Sequence, residues 1–425
     1  MSPDKNAVDE HPLLEPSFRQ ELVVRLIGEL RNGPRSFASL VGAAEGAYPA
    51  DVQSVLEGLR AEQIVSISES GLWTRAASVL GPVEQQVEYL SELQCKDGLP
   101  EPHPLDFDWR FTTHTLTKLA KSLKLSKQTR VAVLGAPTLY RHLVDIGADA
   151  TLFDRNPRLV QHLRSEGYSS VTECDLLEFP KLEPGYQCAL ADPPWYVEHY
   201  EAFIDAARRL LVPSGRLLLS ILPRLTRPSA SQDRISILEC AAYLGFDLIE
   251  AELGALRYLS PPFEIEALRT DGIILDDWRS GDLFSFVLGS RPPEQVKHRH
   301  PTNKETWHTH QLGGTTIKVK VQGGESNQAF RFQPASSSKN IRLRSVSRRS
   351  PARSRINLWT SRNIALKVSK TAVLEDALQK IGNGESPMDS LASVAYEYQL
   401  TDDERGELQE LLRLLSQDAG LKWID

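Results

Sequence analysis

Apolar positions first recur at helical spacing in Leu22, Val23, Leu26, Ile27 and Leu30. Gly33-Pro34 interrupts that pattern, and Ser36 is placed to cap a short second helix carrying Leu40 and Val41. A third helix is predicted from Pro49, with Val52, Val55, Leu56 and Leu59 on its apolar face. Residues 64–68 and 72–74 then alternate around Glu69-Ser70-Gly71, the signature of a hairpin. A helical connector is predicted over residues 81–94. After it, short apolar runs alternate with helical stretches. Strands are predicted at 131–134, 150–153, 171–174, 188–191, 215–221, 248–251 and 284–287. Helices are predicted from Pro137, from Pro157, over 200–211 and over 231–244. Continuous apolar strands alternating with helices imply a doubly wound, largely parallel α/β sheet covered on both faces. Beyond residue 290 the texture changes to short β-like pieces rich in Gly and Ser, then from residue 371 to an acidic helical region striped by Leu408, Leu411, Leu412 and Leu415.

This pattern divides the chain into a disordered start (1–17), a helix–hairpin unit (18–77), a helical connector (78–104), the α/β domain (105–290), a small β-rich unit with a basic segment (291–370) and an acidic helical tail (371–425). A length of 425 residues agrees with about three domains. The net charge of −7 excludes a uniformly basic nucleic-acid coat but leaves room for a local basic groove. The densest candidate is residues 339–355, with Lys339, Arg342, Arg344, Arg348, Arg349, Arg353 and Arg355 and no acidic residue. It is expected near the mouth of a substrate pocket, or else paired with the acidic tail. The cysteines Cys95, Cys174, Cys188 and Cys240 are widely spaced, as in a reducing cytoplasm, and form no zinc-finger pattern. His298, His300, His308 and His310 lack companion ligands at a fitting spacing, so no metal is expected. Residues 1–16 are polar and hold no apolar h-region, no apolar run of about 18 residues occurs, and a soluble, cytoplasmic protein is expected.

Candidate chemistry gathers at the carboxyl ends of the predicted strands, where open α/β sheets bind ligands. Gly135 follows the first strand. Asp154 ends the second, about twenty residues on, at the spacing from which an acidic residue reaches ribose hydroxyls. Asp175 ends the third and could accept from an adenine amino group. Asp192-Pro193-Pro194-Trp195 ends the fourth. Two prolines stiffen that turn. The Asp192 carboxylate and the Pro193 carbonyl could hold a planar amino group, and Trp195 could stack on its ring. The first loop has one glycine where a dinucleotide site has three, which favours a cofactor without phosphates.

Gly135-Ala136-Pro137-Thr138-Leu139-Tyr140, Phe153-Asp154-Arg155 and Ala191-Asp192-Pro193-Pro194-Trp195 together resemble the family of "probable N6-adenine methyltransferases", whose eukaryotic members include elongation-factor lysine methyltransferases and a zinc-knuckle protein that methylates ribosomal RNA adenosine. Trp109-Arg110-Phe111-Thr112-Thr113 is similar to the aromatic and threonine segment ahead of that fold. The resemblance spans residues 107–222. It implies a Rossmann-like class I methyltransferase core, with Gly135, Ala136, Pro137, Asp154, Arg155 and Asp175 binding S-adenosylmethionine. It further implies that Asp192, Pro193, Pro194 and Trp195 are catalytic, and that Trp195, Tyr196, Phe107 and Trp109 bind substrate. The expected acceptor is adenine N6 of DNA or RNA, with protein lysine as an alternative partner and a catalytically inactive interaction module as another. The helix–hairpin unit resembles a winged helix, although Asp51, Glu57 and Glu62 leave its third helix short of basic charge. The layout also resembles branched-polyamine synthases, but Gly135-Ala136-Pro137-Thr138 lacks the acidic cluster those enzymes carry, which argues against aminopropyl transfer.

Overall fold

The computed structural model describes residues 15–76, 98–126, 128–275, 277–289, 305–320, 328–336, 340–348, 350–421 and 423. The predicted connector at 81–94, Cys95, His298, His300, Lys339 and Arg349 lie outside these residues. The first unit is α1 (Pro16–Leu30), α2 (Phe37–Ala43) and α3 (Pro49–Ala61), followed by the antiparallel pair β1 (Val65–Ile67) and β2 (Trp73–Arg75). Ser36 caps α2 by accepting from Ser39 N. The apolar faces of the three helices close on Trp73 and also on Leu268, Ile273 and Trp278, so this unit packs against the α/β domain.

The central sheet begins with β3 (Arg110–Phe111) and, after α4 (Thr113–Ser122), continues through β4 (Arg130–Leu134), α5 (Pro137–Asp145), β5 (Asp149–Asp154), α6 (Pro157–Ser165) and β6 (Val171–Glu173). Then come β7 (Tyr186–Ala191), α7 (Val197–Leu210), β8 (Leu211–Ile221), α8 (Ala230–Tyr243), β9 (Phe246–Leu259), α9 (Pro262–Thr270) and β10 (Ser280–Leu288). The strand order is β3-β9-β10-β8-β7-β4-β5-β6. Strand β4 pairs in parallel with β5 and β7, whereas β10 runs antiparallel to β8 and β9. Strand order therefore reverses between β4 and β7, and this switch point is where such sheets open a crevice. Two cores, one on each face, are built from the continuous apolar runs of the parallel strands. This is the expected Rossmann-like arrangement. Strand β9 is longer than the predicted 248–251: its middle is solvent-exposed, while Phe246 at its start and Leu256 and Tyr258 near its end reach the two cores.

The remaining strands are β11 (Trp307–Leu312), β12 (Thr315–Lys320), β13 (Phe332–Pro334), β14 (Leu358–Thr360) and β15 (Ala365–Val368), in the order β11-β12-β14-β15-β13. Helices α10 (Thr371–Gly382), α11 (Pro387–Glu397) and α12 (Asp402–Asp418) share one core with that sheet. The leucine stripe of α12 packs on Ile317, Leu358 and Leu366, so the β-rich and helical segments read separately in the sequence form one body. That body docks on the α/β domain beside its strand ends. Lys318 pairs with Asp106, Arg158 donates to Thr316 Oγ1 at 2.8 Å, and Ser361 donates to Glu101 at 2.6 Å.

Candidate active site

Parallel register brings the loop residues together. Leu134 lies opposite both Phe153 and Ala191, so Gly135, Asp154 and Asp192 leave the sheet side by side. Gly135 has φ +68°, the left-handed region, and a Cβ there would lie 3.0 Å from the Phe203 ring and 3.4 Å from the Asp192 carbonyl. Here the chain needs both the glycine's conformation and its missing side chain. Ahead of these loops runs residues 98–109, which Arg155 holds in place by donating to the Leu105 carbonyl at 2.9 Å, with its guanidinium 5.5 Å from the Phe107 ring centre.

A cavity of about 590 Å³ lies between Gly135 and that segment, lined by Asp106, Asp108, Asp154, Asp175 and Asp192 as well as Phe107. Burial raises the Asp154 carboxyl to about 7, although it accepts from Asn156 N at 2.8 Å. Asp108 pairs with Arg110 through Oδ2, but its buried Oδ1 has no hydrogen-bond partner among the described residues. A close-approach glycine, strand-end carboxylates and an orphaned acceptor fit S-adenosylmethionine, which presents two hydroxyls, two cationic groups and no phosphate. Gly135, Asp108 and Asp154 are the residues that would hold it. Asp175 lines the same cavity, yet its Oδ1 already caps a 3-10 turn by accepting from Leu177 N at 3.0 Å.

Asp192, Pro194 and Phe107 also line a second cavity of about 1170 Å³, so the two spaces meet at these residues. Trp109, Trp195, Tyr196, Tyr258 and Phe263 wall it, while Tyr48 and Asp51 come from the first unit and Val346 and Ser347 from the last. Tyr258 donates to Asp192 Oδ1 at 2.8 Å and lies 2.6 Å from Ser220 Oγ. It reaches there from β9 by crossing Gly281 of β10, where a Cβ would come within 3.2 Å of its ring. Burial raises the Asp192 carboxyl to about 7, and the hydrogen bonds from Tyr258 and Ser220 lower it only in part. Trp195 stands edge-on to Tyr258, ring centres 5.8 Å apart, and its carbonyl accepts from Arg227 at 2.5 Å.

Of the residues expected to bind cofactor or substrate or to be catalytic, all line one or both cavities except Ala136 and Pro137, which are buried at the start of α5. Arg155 lines the first cavity, but its guanidinium is engaged by Leu105 and Phe107. Tyr258 and Phe263, which also wall the second cavity, belong to β9 and α9. Asp108, His199, Tyr48 and Arg279 were not foreseen. For Asp108 a signal existed, since it sits between the flagged Phe107 and Trp109. His199 lines the first cavity, and burial pushes it down to about 3. The basic segment does reach the mouth of the second cavity: Arg348 N donates to Tyr196 OH at 3.2 Å. Much of its charge is neutralised within the molecule, by Glu198 at Arg348, by Asp271 at Arg344, and by Glu266 and Asp418 at Arg342.

No curated protein matches this chain. A branched-chain polyamine synthase mutein from Thermus thermophilus, solved with N4-aminopropylspermidine and 5'-methylthioadenosine, is similar in fold, with a TM-score of 0.50 and 15% identity over 68% of this chain and 94% of that one. The corresponding synthase structure gives a TM-score of 0.48 and 16% identity over 66% and 90%. A TehB-like methyltransferase from Corynebacterium glutamicum gives 0.31 and 13% over 42% and 89%. The family model "probable N6-adenine methyltransferase" matches residues 108–245, which run from the orphaned Asp108 through the strand-end loops at Gly135, Asp154, Asp175 and Asp192. Over those residues the chain is similar to the probable N6-adenine methyltransferase family, and it is an S-adenosylmethionine-dependent methyltransferase.

Proposed function

We propose that the acceptor is the exocyclic amine of a neutral planar ring, and that this ring is adenine in DNA or RNA, methylated at N6. The observation that carries this reading is that the Asp192 carboxyl forms part of the common lining of the cofactor cavity and an aromatic-walled cavity. Bound S-adenosylmethionine supplies a methyl group on a cationic sulfur. The protein's share is positioning. Asp192 and the Pro193 carbonyl accept the two amine hydrogens and aim the nitrogen lone pair out of ring conjugation. As positive charge grows on that nitrogen, the Asp192 carboxylate stabilises it and takes its proton, while Tyr258 keeps the carboxylate in one orientation. Trp195, Tyr196 and Phe107 offer ring surfaces for a base that has left its stack. Arg353 and Arg355, which form no ion pair among the described residues, are the candidates for phosphate contact.

The test is incubation with methyl-labelled cofactor and single- and double-stranded oligonucleotides, followed by mass spectrometry of the nucleosides. N6-methyladenine is the expected product. Label that survives nuclease but not protease in a treated lysate would overturn the reading in favour of a lysine acceptor. Transfer to spermidine alone would point to a polyamine. Absence of cofactor binding at millimolar concentration would leave an inactive interaction module.

A further inference from the structure

Arg279 immediately precedes β10, is buried, and lines the aromatic-walled cavity. Its guanidinium carbon lies 4.6 Å from the ring centre of Trp278, 4.8 Å from Trp109, 5.2 Å from Tyr48 and 5.7 Å from Trp195. Its Nη2 donates to Glu264 at 3.0 Å. Arg279 Nε and Glu264 Oε2 are both buried without a hydrogen-bond partner among the described residues. Rings converging on a cation, with a carboxylate behind it, are the recognition elements for alkylammonium and guanidinium groups. In this protein a side chain of the same chain occupies them.

We propose that Arg279 is a resident cation that fills an ammonium-accepting aromatic cage next to Asp192 and thereby bars cationic amines from the acceptor pocket. The inference rests on reading that cavity as the acceptor site. A second cation entering it would find ring faces of Trp109 and Trp195 already used and would lie close to Arg279 and Arg227, both of which line the cavity. In a space of low dielectric that repulsion is strong. A neutral ring meets no such opposition. Arginine suits this role better than lysine, because a planar guanidinium stacks between rings and is weakly hydrated. The device selects against lysine and polyamine acceptors by excluding them, in addition to any contact that favours adenine.

The experiment uses the full-length protein without cofactor, with tetramethylammonium and spermidine as probes, read by tryptophan fluorescence and calorimetry. Wild type is expected to bind neither at about millimolar concentration, whereas Arg279→Ala is expected to bind both at least about tenfold tighter and to gain thermal stability as either is added. Arg279→Lys, which keeps a charge in the cage, should still exclude them. Wild type binding either probe as tightly as Arg279→Ala overturns the proposal. So does a folded Arg279→Ala protein, with S-adenosylmethionine affinity intact, that binds neither. If the lone Glu264 carboxylate prevents folding, Arg279→Gln combined with Glu264→Gln removes both charges of that pair and should bind tetramethylammonium; failure to do so is equally decisive. The acceptor reading fails separately, on the labelled product, because cation binding by the opened cage does not depend on which molecule is methylated.

Discussion

Replacing Asp192 with asparagine should abolish methyl transfer and at the same time make the protein more stable in mildly alkaline solution. Burial raises this carboxyl from 3.8 to about 7 in the folded protein. Between those values the folded state keeps a proton that the unfolded chain has released. Unfolding free energy therefore falls as pH rises through that window and levels off above it. Each unit corresponds to about 1.4 kcal/mol, so a shift of roughly three units sets a ceiling of about 4 kcal/mol. Of this, about 3 kcal/mol accrues between pH 5 and pH 8. Asparagine keeps an oxygen to accept from Tyr258 and never ionises. The stability advantage of Asp192→Asn over wild type should thus grow by about 3 kcal/mol from pH 5 to pH 8, or less where cavity water solvates the carboxylate. Asp154, also raised to about 7, titrates in both proteins and cancels in the comparison. Urea denaturation followed by circular dichroism at pH 5, 6, 7 and 8 measures the difference. A difference that does not change with pH would refute the argument that the fold opposes the Asp192 charge.

Gly135→Ala forces a Cβ into the Phe203 ring at a φ of +68°, so it should cost about 1–3 kcal/mol and weaken S-adenosylmethionine binding at least about tenfold by calorimetry; unchanged affinity would place the cofactor elsewhere. Tyr258→Phe removes a hydrogen bond to the ionised Asp192, which should raise that carboxyl further and move the acidic limb of the pH–rate profile upward by about one unit. A limb that stays in place would mean that a group other than Asp192 sets it. Arg342→Ala leaves the buried Asp418 carboxylate without its 2.7 Å partner and, because Arg342 is partly exposed, should lower stability by about 1–3 kcal/mol. The salt dependence of nucleic-acid binding should stay the same, and a flatter slope would show that Arg342 contacts phosphate.

The sequence by itself determined the local structure and one end of the chemistry. Apolar runs such as 131–134 and 188–191 read as strands buried on both faces, and Gly135, Asp154 and Asp192 stood out as candidates by following such runs. What completes the site was invisible there because it depends on pairings between distant segments. Tyr258 reaches Asp192, 66 residues away, only because antiparallel β10 lies between β8 and β9 and carries Gly281 where the ring must pass. Tyr48, Trp109, Trp195 and Trp278 come from four separate segments, and no spacing rule links them until the first unit packs against α9. The basic run near residue 348 was legible as charge, but whether that charge is free is a tertiary matter. Glu198, Asp271 and Asp418 lie 73 to 150 residues away along the chain, and folding brought them within ion-pair distance of Arg348, Arg344 and Arg342. Periodicity reports which face of an element is buried, and the fold alone decides what lies opposite it.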